Sequence, residues 1–431
     1  MILALVLAAA PSAHFTVKPV GRTLEVSLML EGSTSDCLCL DMPGAEVALS
    51  GLARHPREPD CFLRPKKRGP VRYTVSLEAL RRVADDPDFA ADLGAAWLFH
   101  DNAVLLHPDG VYPESTVRFE LPEGARLATS WPQSKGGAFH VTAAQFDAGA
   151  YLALGALRTL EPIQLDGFSA RLTLIAGEKA ASDEQLRAWV QRALTTLATF
   201  YGGSPTKGAR PLHVVLAGVP SDDAGVFGSV LRRGEPSVML LFGARARDGF
   251  ETDWVAIHEL FHLGNPPTEG RYPWFVEGVT TLYTELLRAR SGALPEARVW
   301  RTIAERVREY CPPTKTPLRQ RSRELKQTHD WLGVYWGGAC LALRVDVAIR
   351  QRTRGARSLD TVLRELRAGP PLDEDALVAR LDLEAGAPLA SAHLDATSPL
   401  PLEALLTALG VASPELDEQA PLAAVRRAMT R

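Results

Sequence analysis

Residues 253–267 read Asp253-Trp-Val-Ala-Ile-His258-Glu259-Leu-Phe-His262-Leu-Gly264-Asn265-Pro-Pro267, and after eleven residues beyond His262 the chain continues Trp274-Phe275-Val276-Glu277-Gly278. On a helix, His258 and His262 stand one turn apart on a shared face. Both imidazoles can then meet one zinc ion while Glu259 points at the metal's open position. With ten His in 431 residues, such a five-residue match arises by accident in roughly one such chain per hundred, so its flanks decide. Asp253 or Thr252 can cap a helix whose apolar residues are Trp254, Val255, Ile257, Leu260 and Phe261, and Gly264 with Pro266-Pro267 stops it.

The neighbouring segments extend the reading. Upstream, Ser237-Val-Met-Leu-Leu-Phe242 predicts a buried strand, expected to offer an extended edge beside the metal where a peptide backbone pairs. Downstream, Glu277 is expected to open a second helix through Thr281, Leu282 and Leu286 and to bring a carboxylate as third ligand. Two imidazoles and one carboxylate leave a fourth position for water. The alternative is that the two His are satisfied core or surface residues and Glu277 a helix-start carboxylate favoured by the macrodipole. The agreement of spacing with helix signals favours the metal.

The run His258 to His262 with Trp274-Phe-Val-Glu277-Gly278-Val-Thr280-Thr281-Leu-Tyr283 resembles the gluzincin metallopeptidases, and among them is similar to the glycyl aminopeptidase family. Val334-Tyr335-Trp336-Gly337-Gly338-Ala339-Cys340, followed by Asp346, is similar to the helix that opens with that family's catalytic tyrosine. Pro399-Leu-Pro401-Leu402, before Leu409-Gly410-Val411, is similar to the end of its catalytic region. The blocks span roughly residues 140 to 411 in the family's order. The resemblance implies a thermolysin-like catalytic domain and a single zinc ion on His258, His262 and Glu277. It also implies Glu259 as general base and the Tyr335 hydroxyl as donor to the oxyanion formed on a peptide carbonyl.

The chain departs from the family in three places. The gap from His262 to Glu277 is shorter than usual. The segment Gly225-Val-Phe-Gly228-Ser-Val-Leu-Arg232-Arg233-Gly234-Glu235-Pro236 has Arg or Gly where relatives carry a Glu that holds the substrate's amine, which leaves Glu235 as the candidate substrate-binding substitute. The PDZ-like extension common after the catalytic region is not expected, since Arg431 follows soon after Gly410. An aminopeptidase-like zinc peptidase is therefore the leading expectation. A zinc endopeptidase lacking the amine anchor and a non-catalytic peptide-binding protein on the same fold are the alternatives.

At 46% hydrophobic and 23% charged residues, the chain has the composition of a globular protein of two or three domains. A net charge of −3 gives no reason to expect nucleic acid or an anionic membrane surface as partner; a peptide or protein substrate is expected instead. Residues 1–13 form an apolar segment too short to span a bilayer, ending in small residues that suit signal peptidase but lacking a basic n-region. Export to a periplasmic or extracellular space without stable membrane insertion is the expectation, a cytoplasmic location the alternative. Cysteine usage is compatible: Cys61 can pair with Cys37 or Cys39, and Cys311 with Cys340.

The expected architecture is multidomain α+β. Residues 14–161 carry short alternating runs such as Thr23–Leu30, Val71–Ser76 and Ser115–Leu121, predicting a β-rich N-terminal domain of antiparallel strands. Residues 162–270 mix strands at 171–175, 212–216 and 238–242 with helices, as a thermolysin-like α+β domain would. Residues 271–431 are helical by period, with breaks near Pro312, Gly355, Pro370 and Pro401. The active cleft is expected between the last two, because Glu259 comes from one and Tyr335 from the other.

Overall fold

The computed structural model describes residues 11–67, 69–84, 90–129, 131, 133–206, 211–231, 236–412 and 415–431. Most of the apolar run proposed as a signal peptide, residues 1–10, lies outside them; Ser12 and Ala13 already belong to a strand, Ser12–Val20. The chain divides into two compact units. The first takes the described residues among 1–164, 168–183 and 209–247; the second takes those among 165–167, 184–208 and 248–431.

The first unit is β-rich. Strict alternation in Ser12–Val20 and Thr23–Glu31 sends Phe15, Val17, Leu24, Val26 and Leu28 to one buried face, and the two strands pair antiparallel from Ser12↔Glu31 to Val20↔Thr23. Their sheet continues through Val71–Ser76 on one side and Glu114–Phe119 on the other. This last pairing, Ser12↔Glu114 to Val17↔Phe119, is parallel, against the purely antiparallel expectation. Between those two strands the chain supplies Ala90–Asp92 and Ala96–His100 to a separate four-stranded antiparallel sheet, completed later by Arg126–Thr129 and Tyr151–Gly155, so the return to the first sheet is a long crossover rather than a hairpin. A small third sheet pairs Cys37–Cys39 with Cys61–Leu63 and carries the Cys39–Cys61 disulfide; Cys37 is free and buried.

The last sheet of this unit contains β1 (Phe168–Ile175), β2 (Leu212–Val219), β3 (Gly225–Leu231) and β4 (Ser237–Gly243). Both β1–β2 and β2–β4 pair parallel, while β3 runs antiparallel to β4. The expected edge position of Ser237–Phe242 is thus corrected: β4 has a partner on each side, and β3 is the terminal strand. All seven residues of β4 are buried, as suits an apolar run without alternation in the interior of a sheet.

The second unit is helical, built around α1 (Asp183–Tyr201), α2 (Val255–His262), α3 (Pro273–Arg290), α4 (Trp331–Arg352) and α5 (Leu359–Ala368). Helix α3 starts at Pro273, one turn earlier than expected, because Pro suits a first helical position where no amide partner is required. Helices α3 and α4 meet at glycines. A Cβ on Gly338 would run into the Trp274 carbonyl oxygen, and one on Gly278 into the Gly338 backbone. Glu277 adjoins Gly278 and Tyr335 lies about one turn before Gly338, so the close approach helps set the spacing between their helices. Helix α4 is long and apolar enough to cross a bilayer, yet it is mostly buried within the fold and carries the buried ion pair Asp346–Arg350. The Cys311–Cys340 disulfide ties it to the chain following Tyr310.

Candidate metal centre

Helix α2 forms where the sequence predicts it. Asp253 accepts the Ala256 amide at 3.3 Å and the Trp189 indole N–H at 2.9 Å, holding the start of the helix. One turn separates His258 from His262, and both are buried. Glu277 comes from the second turn of α3. Its Oε2 lies 3.5 Å from His258 Nε2 and 3.3 Å from His262 Nε2, and the three candidate ligand atoms all fall within 4.8 Å of one another. Ligand atoms about 2.0–2.2 Å from one tetrahedral ion stand roughly 3.3–3.6 Å apart. The donor set and its spacing therefore fit a zinc ion.

The hydrogen bonds behind the imidazoles favour the same use. His258 Nδ1 lies 3.2 Å from the Thr284 hydroxyl, which donates its own proton to the Thr280 carbonyl at 2.7 Å. His262 Nδ1 lies 3.3 Å from the Thr280 hydroxyl, which donates to the Val276 carbonyl at 2.6 Å. With its hydroxyl proton committed, Thr284 can only accept at His258 Nδ1, while His262 Nδ1 lies beside both Thr280 Oγ1 and Asn265 Nδ2, the latter at 3.1 Å; these contacts hold the Nδ1 edges of both rings and leave both Nε2 atoms facing Glu277. Asn265 braces this arrangement, donating from Nδ2 to Val276 O at 3.2 Å and Thr280 Oγ1 at 3.1 Å. Sequence reasoning missed Thr280, Thr284 and Asn265. A signal existed: Thr280 and Thr284 follow Glu277 at i+3 and i+7, on one helical face.

The electrostatics match. Burial pulls the Glu277 carboxyl upward, but the His262 and His258 imidazoles outweigh it and hold the group well below the usual carboxylate range. Tyr335 is half-buried in the second turn of α4; burial first, then the Glu277 and Glu259 carboxylates, push its phenol far above its ordinary value. Tyr335 is thus a protonated hydroxyl within the field of both carboxylates. Glu259 is half-buried on α2. The expected division of the site between two domains is not observed: His258, Glu259, His262, Glu277 and Tyr335 all belong to the helical unit, where α2 packs on α3 and α3 on α4. Glu235 lies outside the described residues.

The sequence matches no protein-family model, and no curated protein matches it. Solved structures do. An aminopeptidase N family protein from Idiomarina loihiensis superposes with a TM-score of 0.73 at 19% identity, covering 92% of this chain and 78% of that one. An M1 zinc metallopeptidase variant from Deinococcus radiodurans, crystallised with a Tyr-Ser-Ala substrate, gives 0.55 at 20% identity over 91% of this chain and 95% of its own. An M1 zinc metallopeptidase from the same organism gives 0.53 at 19% identity, over 91% and 94%. The chain has the gluzincin, aminopeptidase-like fold of the M1 zinc metallopeptidases.

Proposed function

We propose that this protein is a zinc-dependent peptidase, aminopeptidase-like in its action. The observation that carries the reading is the convergence of His258, His262 and Glu277, with both Nε2 atoms facing the carboxylate and that carboxylate held ionised. When bound, zinc supplies Lewis acidity and can bring the pKa of a water in its open position to about 7. Glu259 accepts the proton of the attacking water and returns it to the departing amine. Tyr335 donates its hydroxyl proton to the oxygen that gains charge on the scissile carbonyl; the burial and carboxylates that raise its pKa keep that proton in place. Thr284 behind His258, and Thr280 and Asn265 behind His262, hold the two imidazoles in orientation.

The two disulfides, Cys39–Cys61 and Cys311–Cys340, support maturation in an oxidising compartment and hence export. Glu235 remains the candidate anchor for a substrate amine. Hydrolysis of fluorogenic peptides with free and with blocked N-termini, alongside zinc content measured by mass spectrometry, tests the reading. The expected result is one zinc per chain and turnover of the free form. Turnover of both forms identifies an endopeptidase, and a zinc-loaded protein inert toward both would contradict the enzyme assignment.

A further inference from the structure

A second concave site lies on the helical unit away from the His and Glu ligands: a cavity of about 810 Å³ between α1, α5 and the C-terminal turn of α3. Arg192, Arg290, Arg364 and Arg431 line it, opposed by the Asp360 side chain and the α-carboxylate of Arg431. Asp360 is already committed. It takes Arg290 at 2.8 Å and the Tyr283 hydroxyl at 2.6 Å, and those partners hold its carboxyl below the ordinary range against the upward pull of burial.

The Arg431 guanidinium is offset by its own α-carboxylate, whereas Arg192 and Arg364 meet no carboxylate among the described residues. Arg364 donates one N–H to the Phe200 carbonyl at 2.9 Å, and no described ion pair involves Arg192, Arg364 or Arg431. Elsewhere in the same unit, Arg308, Arg319, Arg321, Arg323, Arg357 and Arg380 each meet a carboxylate. Arg192 and Arg364 thus bring unpaired guanidiniums to one concavity, in a chain of net charge −3. The floor is Phe200, whose buried ring lies under the guanidiniums of Arg290 at 6.0 Å and Arg364 at 5.9 Å. That stacking holds two cations in place, so less ordering is required when an anion arrives.

We propose that this cavity binds a compact anion bearing two or more carboxylate or phosphate groups, with Arg192 and Arg364 as its principal partners. Guanidinium forks match planar and tetrahedral oxyanions with paired N–H donors, and several such contacts favour a multivalent anion over a monovalent one. The site is independent of the zinc ligands and of the proposed hydrolysis.

Calorimetric titration of the zinc-loaded protein at low ionic strength, with tricarballylate and separately with inorganic phosphate, tests the proposal; acetate serves as the monovalent control. Either multivalent probe should bind, acetate should not, and which of the two binds more tightly identifies the oxyanion class. Arg192→Glu should weaken binding about tenfold or more, and Arg192→Ala should do so to a lesser degree. Arg298→Glu, a matched charge change on an exposed helix start, should leave it unaltered. The Arg192 side chain makes no described hydrogen bond or ion pair and is only half-buried, so both of its variants should melt close to the parent. Binding unaffected by Arg192→Glu, equal binding of acetate, or no binding of either multivalent probe would overturn the assignment.

Discussion

Two regions of this molecule gather three potential metal ligands within 4.8 Å of one another: Cys37, Cys39 and Cys61 in the β-rich unit, and His258, His262 and Glu277 in the helical unit. Proximity is equal, but chemistry is not. Cys39 and Cys61 are joined as a disulfide, and Cys37 sits with its Sγ 3.8 Å from Cys39 Sγ. Burial, followed by the Asp109, Asp36 and Glu58 carboxylates, pushes the Cys37 thiol up and keeps it protonated. A metal ligand must be deprotonated. In the helical unit the balance runs the other way: Glu277 is held ionised, and both imidazoles present Nε2 toward it with Nδ1 engaged behind. A ligand cluster becomes a metal centre through its protonation states and the hydrogen bonds behind it, and distances alone do not distinguish the two.

The sharpest way to break this comparison is to remove a ligand. His262→Ala should abolish stoichiometric zinc, measured on the purified protein, and peptidase activity with it; retained zinc would show that the metal sits elsewhere. Glu259→Gln should keep the zinc and lower the rate by about two or more decades; unchanged turnover would remove Glu259 from the mechanism. Tyr335→Phe should lower kcat by about 100-fold or more with little change in KM, and an effect confined to KM would assign the hydroxyl to substrate binding instead.

Smaller effects separate the two clusters. Cys61→Ser should cost roughly 3 kcal/mol of stability by releasing the loop it closes, seen as a lower denaturation midpoint, with zinc content untouched. A drop in zinc would mean that the cysteines hold metal. Thr284→Val removes the acceptor behind His258 and should weaken zinc affinity about 10–100-fold without unfolding the protein; competition with a chelator reads this directly.

The pH dependence of stability follows from Glu277. Its folded pKa is depressed, so its contribution is fully present above the unfolded carboxylate value and is lost as pH falls toward the folded one. Acid titration of Glu277→Gln against the parent should show the parent losing more stability below about pH 4.

Much of the site was legible because helix geometry is local. The four-residue step from His258 to His262, the Asp253 acceptor and the Gly264-Asn265-Pro266 stop fix a helix and its face without reference to the rest of the chain. The β strands at Thr23–Glu31 and Val71–Ser76 were legible for the same reason, since alternation exposes one buried face. Sheet order was not legible. Whether Ser237–Gly243 lies at an edge depends on Gly225–Leu231, whose glycines hid a strand, and on a parallel partner some twenty-four residues earlier in register. The parallel pairing of Ser12–Val20 with Glu114–Phe119 was equally hidden, because it joins segments a hundred residues apart.

The amino-acid sequence by itself determined the chemistry on offer: two imidazoles one helical turn apart, a neighbouring carboxylate and a later helix carrying Glu277, because residue type and short-range period suffice for these. Only the tertiary structure decided that Glu277 reaches both imidazoles, that Thr284, Thr280 and Asn265 engage the imidazoles from behind, and that Gly278 and Gly338 let the Glu277 and Tyr335 helices close on each other. Those outcomes depend on how helices pack, and packing is settled by contacts between residues far apart in the chain.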